Sequence, residues 1–286
     1  MKHFKLNPVI GRSLKLAWKN KKLWLFGFFI GGSLAVMQYS GGKWQEFKEK
    51  ISLFSWENIR TILLDGQILS NVSVVLLFLL AIYILTAWAR GGILAALAYL
   101  KKGQNKYFKV AAKTGWSRLF RLFLIDLFFG AIGLFLFVLG AEFLSGSYRV
   151  LSFVAIGVWL IMTLLLFLSR HYIYCAAIYE DKGVFPAIKS GVLLYFTNFK
   201  KLTLVKVVEI GLWLLSGLAI ALILFISLIP FTVVGLVLML GFNILPIKTL
   251  GLLVFIVLMI IFLIARSIAN IFIYSYLTEV YWLIKQ

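Results

Sequence analysis

Long apolar stretches without any charge are the feature that most constrains how this chain can fold. A transmembrane helix needs roughly 20 mainly apolar residues to cross a hydrocarbon core about 30 Å thick. Four uncharged stretches have about that length, and each is bounded by charged residues: Leu23 to Gly42, Gly66 to Ala89, Val150 to Ser169 and Thr249 to Ala265. Each stretch is predicted to cross a membrane as one helix.

Two further apolar stretches carry charged residues inside them. Leu122 to Ala141 includes Asp126, whereas Leu202 to Ile229 includes Lys206 and Glu209. Both are long enough to cross, and a carboxylate at membrane depth is tolerated when a partner neutralises it. With the four uncharged stretches, they predict an all-α polytopic bundle of about six transmembrane helices.

Pro230 is predicted to end the fifth of these spans, because proline lacks a backbone N–H and its ring clashes with the preceding turn. The apolar run from Phe231 to Phe242 has only 12 residues and is followed by Pro246. A run of this length is too short to cross. It is therefore predicted to be a re-entrant or outer-surface segment.

The overall composition agrees with a lipid environment. Of 286 residues, 63% are hydrophobic and only 14% are charged, and the mean hydropathy is +1.01. So few charged side chains cannot cover the surface of a water-soluble domain of this size. The net charge of +19 is typical of membrane proteins with basic cytoplasmic loops, and it favours anionic lipid headgroups over nucleic acid as partners.

The distribution of basic residues predicts the orientation, because Lys and Arg in short loops favour the cytoplasmic side. Twenty of the 29 fall on one set of segments: the first 22 residues, Lys101 to Arg121, Lys182 to Lys206, and Lys285. The opposite loops hold six, and four of those lie in a loop with four acidic residues. The prediction is a multi-pass protein of the cell membrane with both termini in the cytoplasm.

A sequence pattern recurs at a fixed offset, which indicates an internal repeat. Arg90 to Gly103 aligns without gaps on Arg170 to Gly183, and matched Lys, Gly and Phe residues follow in both copies. Pro8 and the residues after it fall on Pro186 and its neighbours at an offset of 178. The chain is therefore predicted to be a single transmembrane domain, residues 1–286, with repeat units at about 1–103, 104–183 and 184–286.

Each unit is predicted to contain an amphipathic surface helix followed by a transmembrane hairpin. The surface segments are basic and aromatic, as in Ile10 to Lys22, where Leu14, Ala17, Trp18 and Lys21 have helical spacing. This makeup is typical of helices that lie in the membrane interface. Alternatively, these segments are the cytoplasmic ends of the bundle, with lysines extending toward the headgroups.

Five ionisable residues at membrane depth form the candidate binding site. Arg90, Arg170 and Arg266 come from the three returning helices, whereas Asp126 and Glu209 come from outgoing helices. On a functional interpretation they form a basic pocket for a phosphate or an anionic headgroup, with the carboxylates orienting the arginines. On a structural interpretation each Arg marks the inner interface, and Glu209 pairs with a lysine on its own helix. At least one of the two carboxylates is predicted to contact one of the arginines.

The sequence predicts no catalytic or metal-binding residues. One cysteine and two histidines are too few for an intramolecular disulfide or a histidine metal cage. No nucleophile with an adjacent base, no paired carboxylates and no phosphate-binding loop is recognisable. Neither enzymatic activity nor a cofactor is therefore expected.

Three sequence motifs resemble those of a known family. They are Ser13 to Trp18 with Leu23-Trp24, Arg90 to Gly103, and Ala187 to Gly191 with Phe199-Lys200. Through them, nearly the whole chain resembles the membrane domain found beside bacterial glycerophosphodiester phosphodiesterase catalytic domains, and related six-span bacterial proteins. That enzyme's catalytic domain is a soluble barrel with a His-Arg-Gly type motif, which neither histidine here matches. The resemblance implies a membrane architecture and supplies no catalytic residue.

Two functions fit these features. The leading hypothesis is a non-enzymatic accessory or scaffold, which contacts the lipid bilayer, anionic phospholipids and a membrane protein partner through its basic inner face. The alternative is a transporter or lipid-handling protein that uses the arginine and carboxylate cluster, as internal repeats and intramembrane charge suggest. A water-filled cavity lined by the cluster would favour transport, whereas a closed bundle would favour the scaffold.

Thiol labelling tests the predicted orientation. In a Cys175→Ala background, single cysteines at Gly41 and Ser147 are expected to react with an impermeant reagent from outside the cell, because these loops contain few basic residues. Cysteines at Gly103 and Gly183 are expected to react only after the cell is opened. The reverse pattern would contradict the orientation.

Overall fold

The computed structural model describes residues 7–30, 66–104, 107–145, 149–241 and 247–286. These residues form helices and short turns without any strand, so the predicted all-α class is confirmed. The helices are α1 (Asn7–Lys19), α2 (24–30, after a 3-10 turn at Lys21–Leu23), α3 (Gly66–Lys101), α4 (Tyr107–Ser117), α5 (Leu119–Ser145), α6 (Arg149–Tyr179), α7 (Val184–Thr197), α8 (Phe199–Gly241) and α9 (Ile247–Lys285).

Four helices are long and apolar enough to cross a membrane within the part of the chain that the structure describes. They contain the segments Leu80–Lys101 of α3, Ile156–Tyr179 of α6, Phe199–Pro230 of α8 and Val254–Lys285 of α9. Helix α5 covers the predicted span from Leu122 to Ala141 without a break. The predicted span from Leu23 to Gly42 is helical up to residue 30, and its remainder lies outside the described residues. The four apolar helices favour a membrane location.

Helix α8 does not end at Pro230, so the prediction of a separate segment after it is wrong. The helix continues through the proline to Gly241, and residues 231–241 are part of it. Proline removes one N–H donor, but in an apolar solvent every other backbone group still needs a partner within the protein. Continuing the helix provides those partners. Residues 242–246, which include Pro246, lie outside the described residues.

The helices α3, α6 and α9 each have an apolar exposed part and a buried part. Large apolar side chains such as Leu77 and Phe255 are exposed on the first part. From about residues 87, 169 and 267 onward, most side chains are buried in one core, to which Ile93, Ile173 and Ile273 belong. The second parts together are called the collar below. Water would disfavour the exposed apolar surface, so the first parts suit a lipid environment. The collar lies at one end of them.

Helix α2 is fixed to two of these long helices by side chains that bind its backbone. Asn270 of α9 donates from Nδ2 to the carbonyl oxygen of Gly27 at 2.9 Å. Thr86 of α3 donates from Oγ1 to the carbonyl oxygen of Phe29 at 3.1 Å. The beginning of the first predicted span therefore lies between α3 and α9.

The short helices α1, α4 and α7 pack on the collar through one stripe of residues each. Positions i, i+4 and i+8 lie on the same face of a helix. These positions are buried in all three helices: Val9, Ser13 and Ala17; Tyr107, Ala111 and Gly115; Ala187, Gly191 and Tyr195. Helix α4 packs on α3 and α7 packs on α6, each on the long helix before it, while α1 packs on α9.

Two glycines bring a short helix into backbone contact with a long one. A Cβ added at Gly115 of α4 would lie 2.7 Å from the carbonyl oxygen of Trp88 and 2.8 Å from the backbone nitrogen of Gly92. A Cβ at Gly191 of α7 would lie 2.6 Å from the backbone nitrogen of Ile173. Backbone atoms cannot turn aside as a flexible side chain can. Glycine is therefore needed at both positions for the helices to approach this closely.

A glycine-to-alanine pair tests this packing. Gly115→Ala is expected to lower the thermal stability of the purified protein, because overpacking costs about 1–3 kcal/mol and exceeds the gain in helix propensity of about 1 kcal/mol. Gly130→Ala on α5 is the matched control, since no atom lies within 4 Å of its added Cβ. This control is expected to keep or slightly raise the Tm. Equal Tm values for the two variants would contradict the close approach of α4 and α3.

Candidate functional site

Asp126 on α5 is the centre of a buried polar cluster. Its side chain is 1% exposed, and guanidinium groups from two other helices bind both of its oxygens. Arg90 on α3 donates from Nη1 to Oδ2. Arg170 on α6 donates to Oδ1 from Nη2 at 2.6 Å and from Nε at 3.2 Å. One carboxylate therefore connects α3, α5 and α6, and the predicted contact between a carboxylate and the arginines is confirmed for Asp126.

Tyr174 completes the cluster one helical turn beyond Arg170. Its hydroxyl donates a hydrogen bond to Asp126 Oδ1. The same hydroxyl accepts hydrogen bonds from Arg170 Nε and, at 3.3 Å, from Arg90 Nη1. A spacing of four residues places Tyr174 and Arg170 on the same face of α6. The hydroxyl is shared by both arginines and the carboxylate, so it helps to fix their relative positions.

Within the described residues, the cluster carries one surplus positive charge. Two guanidinium groups face one carboxylate, and the adjoining tyrosines, Tyr83 beside Asp126 and Tyr274 beside Arg90, add polar groups without a charge at neutral pH. The arginines differ in exposure, at 12% for the side chain of Arg90 and 42% for that of Arg170. The surplus charge is therefore accessible at Arg170, while Asp126 is enclosed.

Glu209 is neutralised on its own helix. It forms an ion pair with Lys206, one turn earlier on α8, at 2.7 Å, and the two side chains are only 9% and 5% exposed. The nearby hydroxyls of Tyr172 and Tyr276 are buried and have no hydrogen-bond partner among the described residues. A lysine three residues away can neutralise a carboxylate without help from another helix. The structure thus brings Glu209 to Lys206 rather than to an arginine, as the structural interpretation predicted.

Arg266 on α9 stands apart from both clusters. Its Cζ lies 5.9 Å from the ring centroid of Phe262. Its Nε is buried without a hydrogen-bond partner, and no carboxylate of the described ranges pairs with it. Of the three arginines aligned by the repeat, two share Asp126. The third keeps a charge that no described residue neutralises.

Asp181, in the turn after α6, binds two arginines at the surface of the protein. Arg118 and Arg121, at the junction of α4 and α5, both donate to its Oδ1, the second at 2.8 Å. The hydrogen bond from Arg121 is the main reason that the pKa of Asp181 lies below its usual value. Its φ is 53°, a left-handed conformation that aspartate tolerates better than most residues. This turn is therefore attached to α4 and α5 through charged groups in contact with solvent.

Glu180, the preceding residue, attaches the same turn to the C-terminal helix. Burial disfavours its charged form, but hydrogen bonds from Lys182, Lys285 and Tyr281 outweigh this effect and lower the pKa of Glu180 to about 2. Lys285 and Tyr281 both belong to α9. The carboxylate is therefore ionised at neutral pH and links α6, the turn and α9 at the end of the collar.

The sequence identified the charged members of the buried cluster but not its tyrosines. Arg90, Arg170 and Asp126 were found because each interrupts or ends an apolar stretch. The available signal for Tyr174 was its spacing of four residues from Arg170. For Tyr83, which lies inside an apolar stretch of α3, sequence spacing offered no signal.

Comparison with known proteins adds no assignment to this geometry. No protein-family model, curated protein or solved structure matches the chain. The resemblance to the membrane domain of glycerophosphodiester phosphodiesterases therefore stays a prediction. Any assignment of function depends on the contacts described above.

Replacing the buried carboxylate tests how much the cluster stabilises the fold. Asp126→Asn is expected to lower the Tm of the purified protein strongly, because it leaves two guanidinium groups without their counter-ion. Removing one partner of a buried ion pair costs about 3–5 kcal/mol. Thermal unfolding in detergent, followed by tryptophan fluorescence, measures the effect.

Asp181→Asn is the matched control for this measurement. Asp181 also binds two arginines, but its side chain is 64% exposed. Water screens exposed ion pairs, so this variant is expected to keep a Tm close to that of the original protein. Equal losses in the two variants would contradict the idea that burial makes the Asp126 cluster important.

Proposed function

We propose that this protein is a non-enzymatic multi-pass protein of the cell membrane, acting as an accessory or scaffold whose cytoplasmic face contacts anionic phospholipids. One observation carries the proposal. The short helices α1, α4 and α7 each bury one stripe of residues against the bundle and expose basic and aromatic side chains away from it. These exposed side chains are called the interfacial belt below. They are Lys15, Trp18, Lys19, Lys109, Lys113, Trp116, Phe185, Lys189 and Phe196.

The chemistry of the interfacial belt fits the headgroup region of a membrane. Trp18, Trp116 and Phe196 are 62%, 67% and 51% exposed, which is unfavourable in water but suits the boundary between headgroups and acyl chains. The belt lysines are exposed beside them. Each Lys or Arg near an anionic surface contributes about 1 kcal/mol of attraction. Aromatic anchoring and lysine attraction therefore act on the same lipid layer.

The same proposal includes the arrangement of the whole chain. We propose three units, each with a short helix and a transmembrane hairpin, that together form a ring of six spans. The packing of the short helices supports this arrangement, because α4 and α7 lie on the preceding long helix and α1 lies on the last one. The ends of the short helices support it too. Asn20 and Asn198, 178 residues apart, each donate from Nδ2 to the carbonyl oxygen four residues earlier, in Leu16 and Leu194.

The cytoplasmic orientation of the belt is supported by the same basic residues. The lysines of α1, α4 and α7 lie in the segments that hold twenty of the 29 basic residues. Both termini then lie in the cytoplasm, and the collar projects from the inner leaflet. A collar of this kind offers a polar surface on which a membrane protein partner can bind.

A lipid-handling or transport function is the second candidate, and Arg170 is the observation that favours it. Its side chain remains 42% exposed while it binds Asp126. A cluster with one surplus positive charge attracts an anion, and a guanidinium group suits phosphate. The scaffold is preferred because both carboxylates already have partners within the protein and are not free to bind a cargo. Asp126 contacts three neighbours, and Glu209 pairs with Lys206.

Lipid retention tests the proposed function. A variant with Lys15, Lys109, Lys113 and Lys189 changed to Gln removes four charges from the belt. When the protein is purified from vesicles of phosphatidylglycerol and phosphatidylcholine, this variant is expected to lose several-fold of its phosphatidylglycerol enrichment. The same four lysines changed to Arg form the control, which keeps the charge and should keep the enrichment. No enrichment in the original protein, or an unchanged one in the Gln variant, would contradict the proposal.

A further inference from the structure

An apolar cleft lies between α8 and α9 on the lipid-facing part of the bundle. Its volume is about 640 Å³, within the range of about 300–1,000 Å³ that is common for ligand sites. Apolar side chains line it, among them Ala221, Phe225 and Leu228 of α8 and Phe255, Met259 and Phe262 of α9. A ligand that occupies the cleft must therefore bury a hydrocarbon part there.

A positive charge lies at one end of this cleft. Arg266 follows Phe262 by one helical turn, and its guanidinium group lies over the Phe262 ring at 5.9 Å. Its Nε is buried and unpartnered among the described residues. No carboxylate of the described residues neutralises this guanidinium group, so the best occupant also brings an anionic acceptor to this end.

The other two aligned arginines do not offer the same opportunity. Arg90 and Arg170 are both bound to Asp126. No described residue neutralises the charge of Arg266, which is also the arginine beside the cleft. The unneutralised charge of Arg266 and the apolar cleft are therefore next to each other.

The dimensions agree with one leaflet of a bilayer. The cleft residues of α9 run from four to eleven positions before Arg266, between Phe262 and Phe255. At about 1.5 Å per residue they extend about 6–16 Å from the arginine. Half of a hydrocarbon core about 30 Å thick is about 15 Å. Arg266 ends the uncharged stretch that begins at Thr249, so it lies where headgroups begin.

We infer that this cleft binds one anionic phospholipid of the cytoplasmic leaflet, with its phosphate on Arg266 and an acyl chain between α8 and α9. The inference rests on the proposed function for the orientation of the inner face. It differs from binding to the belt, because the belt attracts many exchanging lipids, whereas the cleft holds one lipid by both its ends. Arginine donates several N–H groups in a planar fork, which suits phosphate oxygens.

Native mass spectrometry of the delipidated protein, titrated with phosphatidylglycerol or phosphatidylcholine, tests the headgroup end. The original protein is expected to retain one phosphatidylglycerol more strongly than any further lipid. Arg266→Gln is expected to lose at least fivefold of this preference over phosphatidylcholine, while Arg266→Lys keeps part of it. An unchanged preference in the Gln variant would overturn the inference.

A pair of alanine substitutions tests the apolar end. Ala221 lines the cleft, whereas Ala219 lies about 200° away around α8, at about 3.6 residues per turn. Both alanines are exposed, so a larger side chain at either leaves the buried core intact. Ala221→Phe is expected to reduce retention of the first lipid several-fold, and Ala219→Phe is expected to leave it unchanged. Equal retention in the two Phe variants would overturn the inference.

The four-lysine Gln variant of the belt separates this inference from the proposed function. It is expected to lose the weakly held, salt-sensitive lipids and to keep the single tightly held one. If the belt variant changes nothing while the Arg266→Gln variant loses its lipid, the proposed function fails and the cleft stands. If the belt variant loses lipids while the Arg266→Gln and Ala221→Phe variants behave as the original protein, the cleft fails and the proposed function stands.

Discussion

The ion pairs between Asp126 and the guanidinium groups of Arg90 and Arg170 join α5 to α3 and α6, at the level where the apolar exposed parts of α3 and α6 give way to the collar. An isolated ion at membrane depth costs on the order of 3 kcal/mol on insertion scales. Here each charge has a partner from another helix, so the ions favour one mutual arrangement of α3, α5 and α6. Tyr174 further restricts the relative positions of these helices, because its hydroxyl contacts all three ions. Sliding one helix by a turn would separate these groups and leave charges exposed to lipid.

Close backbone packing extends this arrangement into the collar and toward the lipid surface. Gly115 allows α4 to lie directly against α3, and Gly191 allows α7 to lie against α6. Because the stripes that contain these glycines face inward, the lysines of the two helices, together with Trp116, Phe185 and Phe196, face outward. The charged turn at Glu180 and Asp181 then attaches α6 to α4, α5 and α9. The surface proposed to meet anionic lipid is thus a consequence of how the short helices pack.

Sequence periodicity and charge were enough to predict the helical class, four of the long apolar helices and the contact of Asp126 with arginines. They failed at Pro230, because the missing N–H and the ring clash disturb the helix only locally, whereas in an apolar solvent the other backbone groups still need partners within the protein, which a continued helix provides. For Glu209 the spacing of three residues indicated Lys206, but the sequence also left open a contact with an arginine from another helix. The sequence also did not indicate that Gly115 is needed for the contact between α4 and α3, because that contact depends on which helix packs against the glycine. Segments outside the described residues, such as the loop after the first predicted span, stay predictions.

A double-mutant cycle on Asp126 and Arg90 measures most directly whether this ion pair positions the helices. Asp126→Asn, Arg90→Gln and the double variant are unfolded from detergent micelles, and the free energies of unfolding are compared with that of the original protein. Contacting residues in one network usually show interaction energies of about 0.5–3 kcal/mol. We expect a coupling in the upper half of that range, because Asp126 is 1% exposed and its pairing with Arg90 connects two helices. Additive losses, with no coupling between the two sites, would contradict the proposed role of the cluster.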